Sequence, residues 1–466
     1  MEIKDNCLNR RAFLRAIGGG AAISALAFAG CNKDKVAPET QPESADVASG
    51  KMTYRKNLKG ENISILGYGC MRLPTITGES ARDGKDEIDQ EMVNKQVDYA
   101  IAHGVNYFDT SPSYCQGQSE HAMGIALSRH SRDKYYIATK LSNFVESTWS
   151  REASLKIYNN SFKELQVDYI DYMLLHGIGM GEGMETLNRR YLENGILDFL
   201  IKEREAGRIR NLGFSYHGDI KCFDYLLSRH QEIKWDFVQI QMNYVDWKHA
   251  KQVNPRNTNA EYLYTELDKR NIPVVIMEPL LGGRLANINN QSAAILKRID
   301  PSASIASWAF RFAGYYPKVL TVLSGMTYME HLKENIQTYS PLIQLSSNEL
   351  ESLEAAALTI LDFPLVQCNT CQYCMPCPYG LDIPNIFSHY NKCLNDGSLP
   401  ANAQSENYKK LRKAFLVGYD RTVPKLRQAN HCIACNHCIP HCPQNIDIPK
   451  EMQRIDKFVE TLKQNV

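Results

Sequence analysis

Between residues 62 and 325, short runs rich in β-branched and aromatic residues alternate with longer stretches of helical periodicity, and this alternation limits the fold more than any other feature. The runs are ISILGYG (63–69), NYFDT (106–110), YYIAT (135–139), YIDYMLLH (169–176), RNLGFS (210–215), DFVQIQ (236–241), PVVIME (273–278) and VLTVLSG (319–325). Each ends on a polar residue or glycine, and segments such as MVNKQVDYAIAHG, SLKIYNNSFKELQ and IASWAFRFAG separate them. Eight such units predict an α/β fold, a closed (β/α)8 TIM barrel with its active site at the C-terminal strand ends. An open doubly wound sheet is the alternative, and the lack of a GxGxxG after the first strand argues against it. MTYRKNLKGEN, ahead of the first strand, predicts a small hairpin.

The chain has 466 residues, whereas a barrel uses about 250. The surplus lies at both ends. At the N-terminus Arg10-Arg11, followed by Phe13-Leu14 and the uncharged run 16–30, resembles a twin-arginine export signal. An Arg-Arg pair alone means little, since Arg189-Arg190 lies mid-chain, and an amphipathic N-terminus is the plain alternative. Phe28-Ala29-Gly30-Cys31 is similar to a lipoprotein cleavage box, with Phe28 where leucine is usual, so lipidation at Cys31 and simple cleavage are both open. Residues 32–52 read as a flexible tether. With 53 Lys and Arg against 52 Asp and Glu and no long block of either sign, the charge gives no support for nucleic acid as a partner.

Four polar residues fall at or just past strand ends: Asp109, Tyr114, Lys140 and His176. Singly, Asp109 reads as a turn cap, Lys140 as a solvated surface charge and His176 as a core histidine. Together they make acid catalysis. A phenol is a weak acid, with a reference pKa of about 10, and a nearby ammonium stabilises its phenolate. Lys140 would do this with Asp109 holding it, while a neutral His176 orients a carbonyl oxygen that Tyr114 protonates. FDTSPSYCQGQSE, IATKL and YMLLHGI carry these residues in an order that resembles the aldo-keto reductase family over residues 60–340. The resemblance implies carbonyl–alcohol interconversion of a small molecule with NADP or NAD. It carries nicotinamide contacts onto Ser215 and Gln241, and an adenosine-side loop onto Gly325, His331, Glu334 and Asn335. Tyr216 and Met277 depart from the family pattern. No arginine for a 2′-phosphate stands among Met326, Thr327 and Tyr328.

The C-terminal surplus holds two cysteine runs. CIACNHCIPHCP places Cys432, Cys435, Cys438 and Cys442 in ferredoxin spacing, and CNTCQYCMPCP places Cys368, Cys371, Cys374 and Cys377 one residue tighter at its end. Three thiolates of CxxCxxC wrap one face of a 4Fe-4S cubane, and the remote cysteine before proline often serves the other cluster. The expected sets are therefore Cys368, Cys371, Cys374 with Cys442, and Cys432, Cys435, Cys438 with Cys377. Zinc is the structural alternative. A disulfide framework fits such close, regular spacing poorly. Helical patterns at 383–394 and 405–419, and a capped helix at 346–361, make this tail similar to an α-helical ferredoxin-like domain. Cys115, beside Tyr114, reads as a buried filler.

The expected organisation is a signal at 1–31, a tether at 32–52, an aldo-keto reductase-like barrel at 53–345 and a two-cluster domain at 346–466. The expected product is an exported oxidoreductase, periplasmic or membrane-anchored on the outer face, carrying two 4Fe-4S clusters and exchanging electrons with a redox partner protein. The competing expectation is a non-catalytic electron-relay subunit that uses the barrel as scaffold.

Overall fold

The computed structural model describes residues 51–464 apart from 79, 82–86, 363–364, 401–402 and 443. The signal and most of the tether lie outside them. Eight parallel strands close into a barrel in chain order: β3 (Leu66–Gly69), β4 (Tyr107–Asp109), β5 (Tyr136–Leu141), β6 (Ile170–Ile178), β7 (Ile209–Tyr216), β8 (Phe237–Gln241), β9 (Val274–Met277) and β10 (Val319–Gly325). β10 closes on β3 with Val322 opposite Leu66. This is the expected (β/α)8 architecture, and a helical C-terminal region follows it.

The first predicted strand is two. β1 (Tyr54–Lys56) pairs antiparallel with β2 (Asn62–Ser64), and the barrel begins only at Leu66. The break has a local cause. The Ser64 hydroxyl donates to the Leu66 carbonyl at 2.7 Å, and the Ser64 N–H donates to Asn106 Oδ1 at 2.8 Å, which turns the chain between the hairpin and the barrel. Ile63 on the hairpin is fully buried among Tyr107, Tyr172, Phe237 and Leu320, so the hairpin stoppers one end of the barrel interior. Tyr107, Tyr172 and Phe237 pack the interior beneath it, so that the barrel is a packed core.

Helix 347–361 starts with a capping box in which Ser346 and Glu349 satisfy each other's end of the backbone. It buries Leu353, Ala356, Ala357 and Ile360 in one core with Trp308, Phe312 and Leu281 of the barrel layer, and Arg311 pairs with Glu349 at 2.8 Å. Beyond it a separate core unites helices Ile383–Asn395, Tyr408–Thr422 and Ile448–Gln464 around Phe387, Phe415, Met452 and Ile455, with Cys368, Cys374, Cys377, Cys432 and Cys442 packed against it. Among the described residues no helix is long and apolar enough to cross a membrane.

Candidate active site at the barrel mouth

Strand ends bring the predicted tetrad together. Asp109 closes β4, Lys140 lies in β5 and His176 in β6, all almost fully buried. Lys140 Nζ donates to Asp109 Oδ1 at 2.6 Å and to the Thr110 carbonyl at 2.8 Å, and it stands 4.6 Å from the centroid of the Tyr114 ring. Burial pushes the Asp109 carboxyl up, and the Lys140 ammonium opposes that shift. Tyr114 meets the His176 ring edge-on at 5.9 Å. It opens a tight turn whose next two residues, Cys115 and Gln116, hold left-handed backbone at φ 50° and 52°. Two adjacent non-glycine residues in that region are a strained way to present a side chain.

The site favours the neutral form of the His176 ring. Burial, then the positive charge of Lys140, then His217 and Arg190, hold its pKa well below the ordinary 6.5. Its Nδ1 lies 2.6 Å from the Ser142 hydroxyl and 3.4 Å from that of Ser111. Behind it, the Tyr191 hydroxyl accepts the His176 N–H at 3.0 Å, and Arg190 Nη2 donates to the His176 carbonyl at 2.7 Å. These supports escaped the sequence reading. Arg190 is half of the mid-chain arginine pair and is buried, and only its position past β6 hinted at a role.

Asp109, Tyr114 and His176 line a cavity of about 480 Å3 at the strand ends, and Lys140 sits behind its wall. Gln241, Gly325, His331, Glu334 and Asn335 line the same cavity, so most of the nucleotide contacts implied by the resemblance share one space with the tetrad. Ser215 does not. Its hydroxyl is fully buried and accepts the Gly177 N–H at 2.9 Å. Met277 faces the cavity, whereas the Tyr216 hydroxyl is turned to the Gly218 carbonyl and Thr258. At the Gly325 end the cation is Arg72, packed under the glycine; its Nη2 reaches the carbonyls of Gly282 at 3.2 Å and Asn369 at 3.4 Å. Cys115 is buried with its sulfur near the Cys70 carbonyl, as a filler would be.

A model of the aldo/keto reductase family matches residues 66–357. The chain belongs to the aldo/keto reductase family. It is 24% identical to the L-galactose dehydrogenase of Arabidopsis thaliana over 315 residues, which covers 64% of this chain and 91% of that one. The holo form of an aldo-keto reductase from Bacillus halodurans superposes with a TM-score of 0.51 at 20% identity, over 66% of this chain and 96% of that one. An aldo-keto reductase from Klebsiella pneumoniae in complex with NADPH superposes at 0.50 and 21% identity, over 66% and 94%. This aldo/keto reductase is thus an oxidoreductase of the family's type, and the family match stops before Cys368, the first cysteine of the tail.

The two cysteine runs of the reductase fold alike despite their unequal spacing. Left-handed residues stand at equal offsets in each, Thr370 and Gln372 in the first and Ala434 and Asn436 in the second. The Thr370 N–H points at Cys368 Sγ at 3.3 Å and the Ile446 N–H at Cys442 Sγ at 3.5 Å. None of the eight cysteines is in a disulfide. Burial and then the nearby Cys371, Cys368, Cys442 and Cys438 push the Cys374 thiol up. The Cys438 thiol is pushed up to about 11, first by burial and then by Cys432, Cys377 and Cys435. Cys377, Cys432, Cys435 and Cys438 also line one small cavity together. Among the described residues no group of three or more His, Cys, Asp or Glu side chains is arranged to hold a single metal ion.

Proposed function

We propose that this chain interconverts a small carbonyl compound and its alcohol with NADP or NAD as hydride carrier, and that its tail holds two 4Fe-4S clusters. The observation that carries the first part is the convergence of Tyr114, His176 and the Lys140–Asp109 pair on one cavity with the nucleotide-contact residues. The nicotinamide supplies or accepts a hydride when bound. The chain's own residues do the rest. The Ser142 hydroxyl pairs with His176 Nδ1, and in the tautomer where Nδ1 accepts, Nε2 carries the proton that would donate to a carbonyl oxygen. Tyr114 gives its phenolic proton to the same oxygen, and the buried Lys140 ammonium beside its ring stabilises the phenolate left behind. In alcohol oxidation the same groups run in reverse. The relatives named as L-galactose and D-arabinose dehydrogenases make sugar-like carbonyls and alcohols the first substrates to try.

The second part rests on Cys377 of the first run lining one cavity with Cys432, Cys435 and Cys438 of the second, as crossed ligation of two cubanes requires, while Cys374 has both Cys442 and Cys438 of the second run near it. Backbone N–H groups aimed at Cys368 and Cys442 sulfurs suit thiolate ligands. Cys368, Cys371, Cys374 and Cys442 would hold one cluster, and Cys432, Cys435, Cys438 and Cys377 the other, each able to accept one electron. Metal binding must displace the protons that burial favours on the Cys374, Cys438 and Cys442 thiols, which ties cluster loading to folding of the tail. Cluster insertion before export agrees with the twin-arginine signal read in residues 1–31, and we take the mature protein to lie outside the cytoplasmic membrane, anchored if Cys31 is acylated. Intact-mass analysis of the wild type and Cys31→Ala decides on the lipid.

Titration of purified protein with NADPH and NADH, followed by nucleotide fluorescence and a carbonyl screen, tests the catalytic reading. Binding of neither nucleotide together with no turnover would leave the barrel as a scaffold for electron relay.

A further inference from the structure

The cavity at the barrel mouth is not closed by the barrel alone. Asn369, Cys371, Tyr373 and Gln444, all from the tail, line it together with Tyr114 and His176. A smaller adjoining cavity shares His217, Gln241 and Gln444 with it and is walled by Cys442. Cys371 thus lines the first cavity and Cys442 the second, and both lie near Cys374, as does Cys438. The first run is fastened to the barrel beside these sulfurs: Arg72 bonds the Gly282 and Asn369 carbonyls, and Asn369 Nδ2 donates to Glu278 Oε1 at 3.3 Å. The other four cysteines are placed differently. The cavity of Cys377, Cys432, Cys435 and Cys438 is lined only by residues between 377 and 452, Cys435 is exposed, and its neighbour Ile433 is 59% exposed.

We infer that the two cysteine sets act in series, the set of Cys368, Cys371, Cys374 and Cys442 facing the barrel cavity and the set of Cys377, Cys432, Cys435 and Cys438 facing a one-electron partner in solution; this rests on the cluster reading above. A hydride's two electrons would reach the first set only through a flavin-class carrier that takes them as a pair and releases them singly, and each electron would then pass from the first set to the second with no proton moved. Cys371 and Tyr373 form part of the cavity wall, so a change of charge in the cavity acts on the first set at short range. None of Cys377, Cys432, Cys435 and Cys438 lines that cavity, so the second set sees the charge less directly.

The test is electron paramagnetic resonance of the reduced full-length holoprotein during redox titration. Cys371→Ser and Cys435→Ser each assign one signal. Glu278→Gln, which removes negative charge where the barrel meets Asn369, raises the midpoint potential of the Cys371-dependent signal and leaves the other in place. His437→Asp, which adds negative charge beside the outer cavity, lowers the Cys435-dependent signal alone. Where a cysteine variant fails to load, the Glu278 and His437 substitutions still separate the signals, because each must move a different one. Saturating NADP+ perturbs the signal that Glu278→Gln moves. Movement of one and the same signal by both substitutions, or of both signals equally by Glu278→Gln, would overturn the inference. Iron analysis of the same samples keeps the two readings apart: a chain without iron takes the cluster reading and the inference with it, whereas full iron with the wrong signal moving removes the inference alone.

Discussion

Replacing Gly282 with alanine sets a side chain against the first cysteine run, and the neighbouring glycine supplies the control. A Cβ at Gly282 would stand 2.3 Å from Asn369 Cβ, 2.7 Å from its carbonyl oxygen and 2.8 Å from its Cα, whereas one at Gly283 meets nothing within 4 Å. Both residues hold positive φ, 70° and 97°, so alanine at either carries a backbone penalty of about 1–2 kcal/mol. Only Gly282→Ala adds a clash with the tail's main chain, and overpacking of this kind costs about 1–3 kcal/mol. If the clash is relieved by lifting the run off the barrel, local opening of the tail becomes easier by that amount. Amide exchange at residues 368–373 then accelerates roughly 5- to 150-fold in Gly282→Ala relative to Gly283→Ala. Hydrogen exchange read by mass spectrometry on the two variants measures the ratio. Equal exchange in both would mean that the run does not rest on Gly282, and the argument for a shared cavity wall would fail with it.

Tyr114→Phe removes the proton donor and little else, so carbonyl reduction falls by about 10²–10⁴ while the dissociation constant for the nucleotide changes less than twofold, measured by steady-state kinetics and fluorescence titration. Lys140→Met leaves the buried Asp109 carboxylate unpaired and destabilises the barrel by about 3–5 kcal/mol near neutral pH in urea titrations. Burial already raises the folded-state pKa of Asp109, and loss of the ammonium raises it further, so the folded variant binds this proton more tightly than the unfolded chain. Its deficit therefore grows as pH rises above the unfolded value of about 3.9 and shrinks in acid, and adding Asp109→Asn recovers most of it. NADPH alone should bleach the visible absorbance of the clusters slowly or not at all, because a hydride carries two electrons and each cluster accepts one; added flavin should speed it in anaerobic stopped flow.

The eight barrel strands were legible because each is a short apolar run between polar or glycine stops, and the spacing of a parallel barrel repeats that pattern. The break at Ile65 was not, since it depends on hydrogen bonds from Ser64 that bring in Asn106 from a distant segment. The same limit explains the site. Asp109, Tyr114, Lys140 and His176 sit at strand ends, where position along the chain predicts position in space. Arg190, Tyr191 and Ser142 support His176 through tertiary contacts that no local pattern encodes. Ser215 matched by motif, yet its hydroxyl is committed to the Gly177 N–H and stays behind the wall. The docking of Asn369 on Gly282 joins residues far apart in sequence, and a glycine at positive φ was its only local sign.

The central claim is that a reductase barrel and a two-cluster tail form one working chain. Iron, zinc and acid-labile sulfide counted on the full-length protein, purified without oxygen and with its absorbance recorded, test it most directly. The account predicts about eight iron and about eight sulfide per chain, with cluster absorbance that Cys442→Ser and Cys377→Ser each reduce by about half. Zinc in place of iron, or a tail that retains neither metal nor sulfide after anaerobic reconstitution, would contradict it.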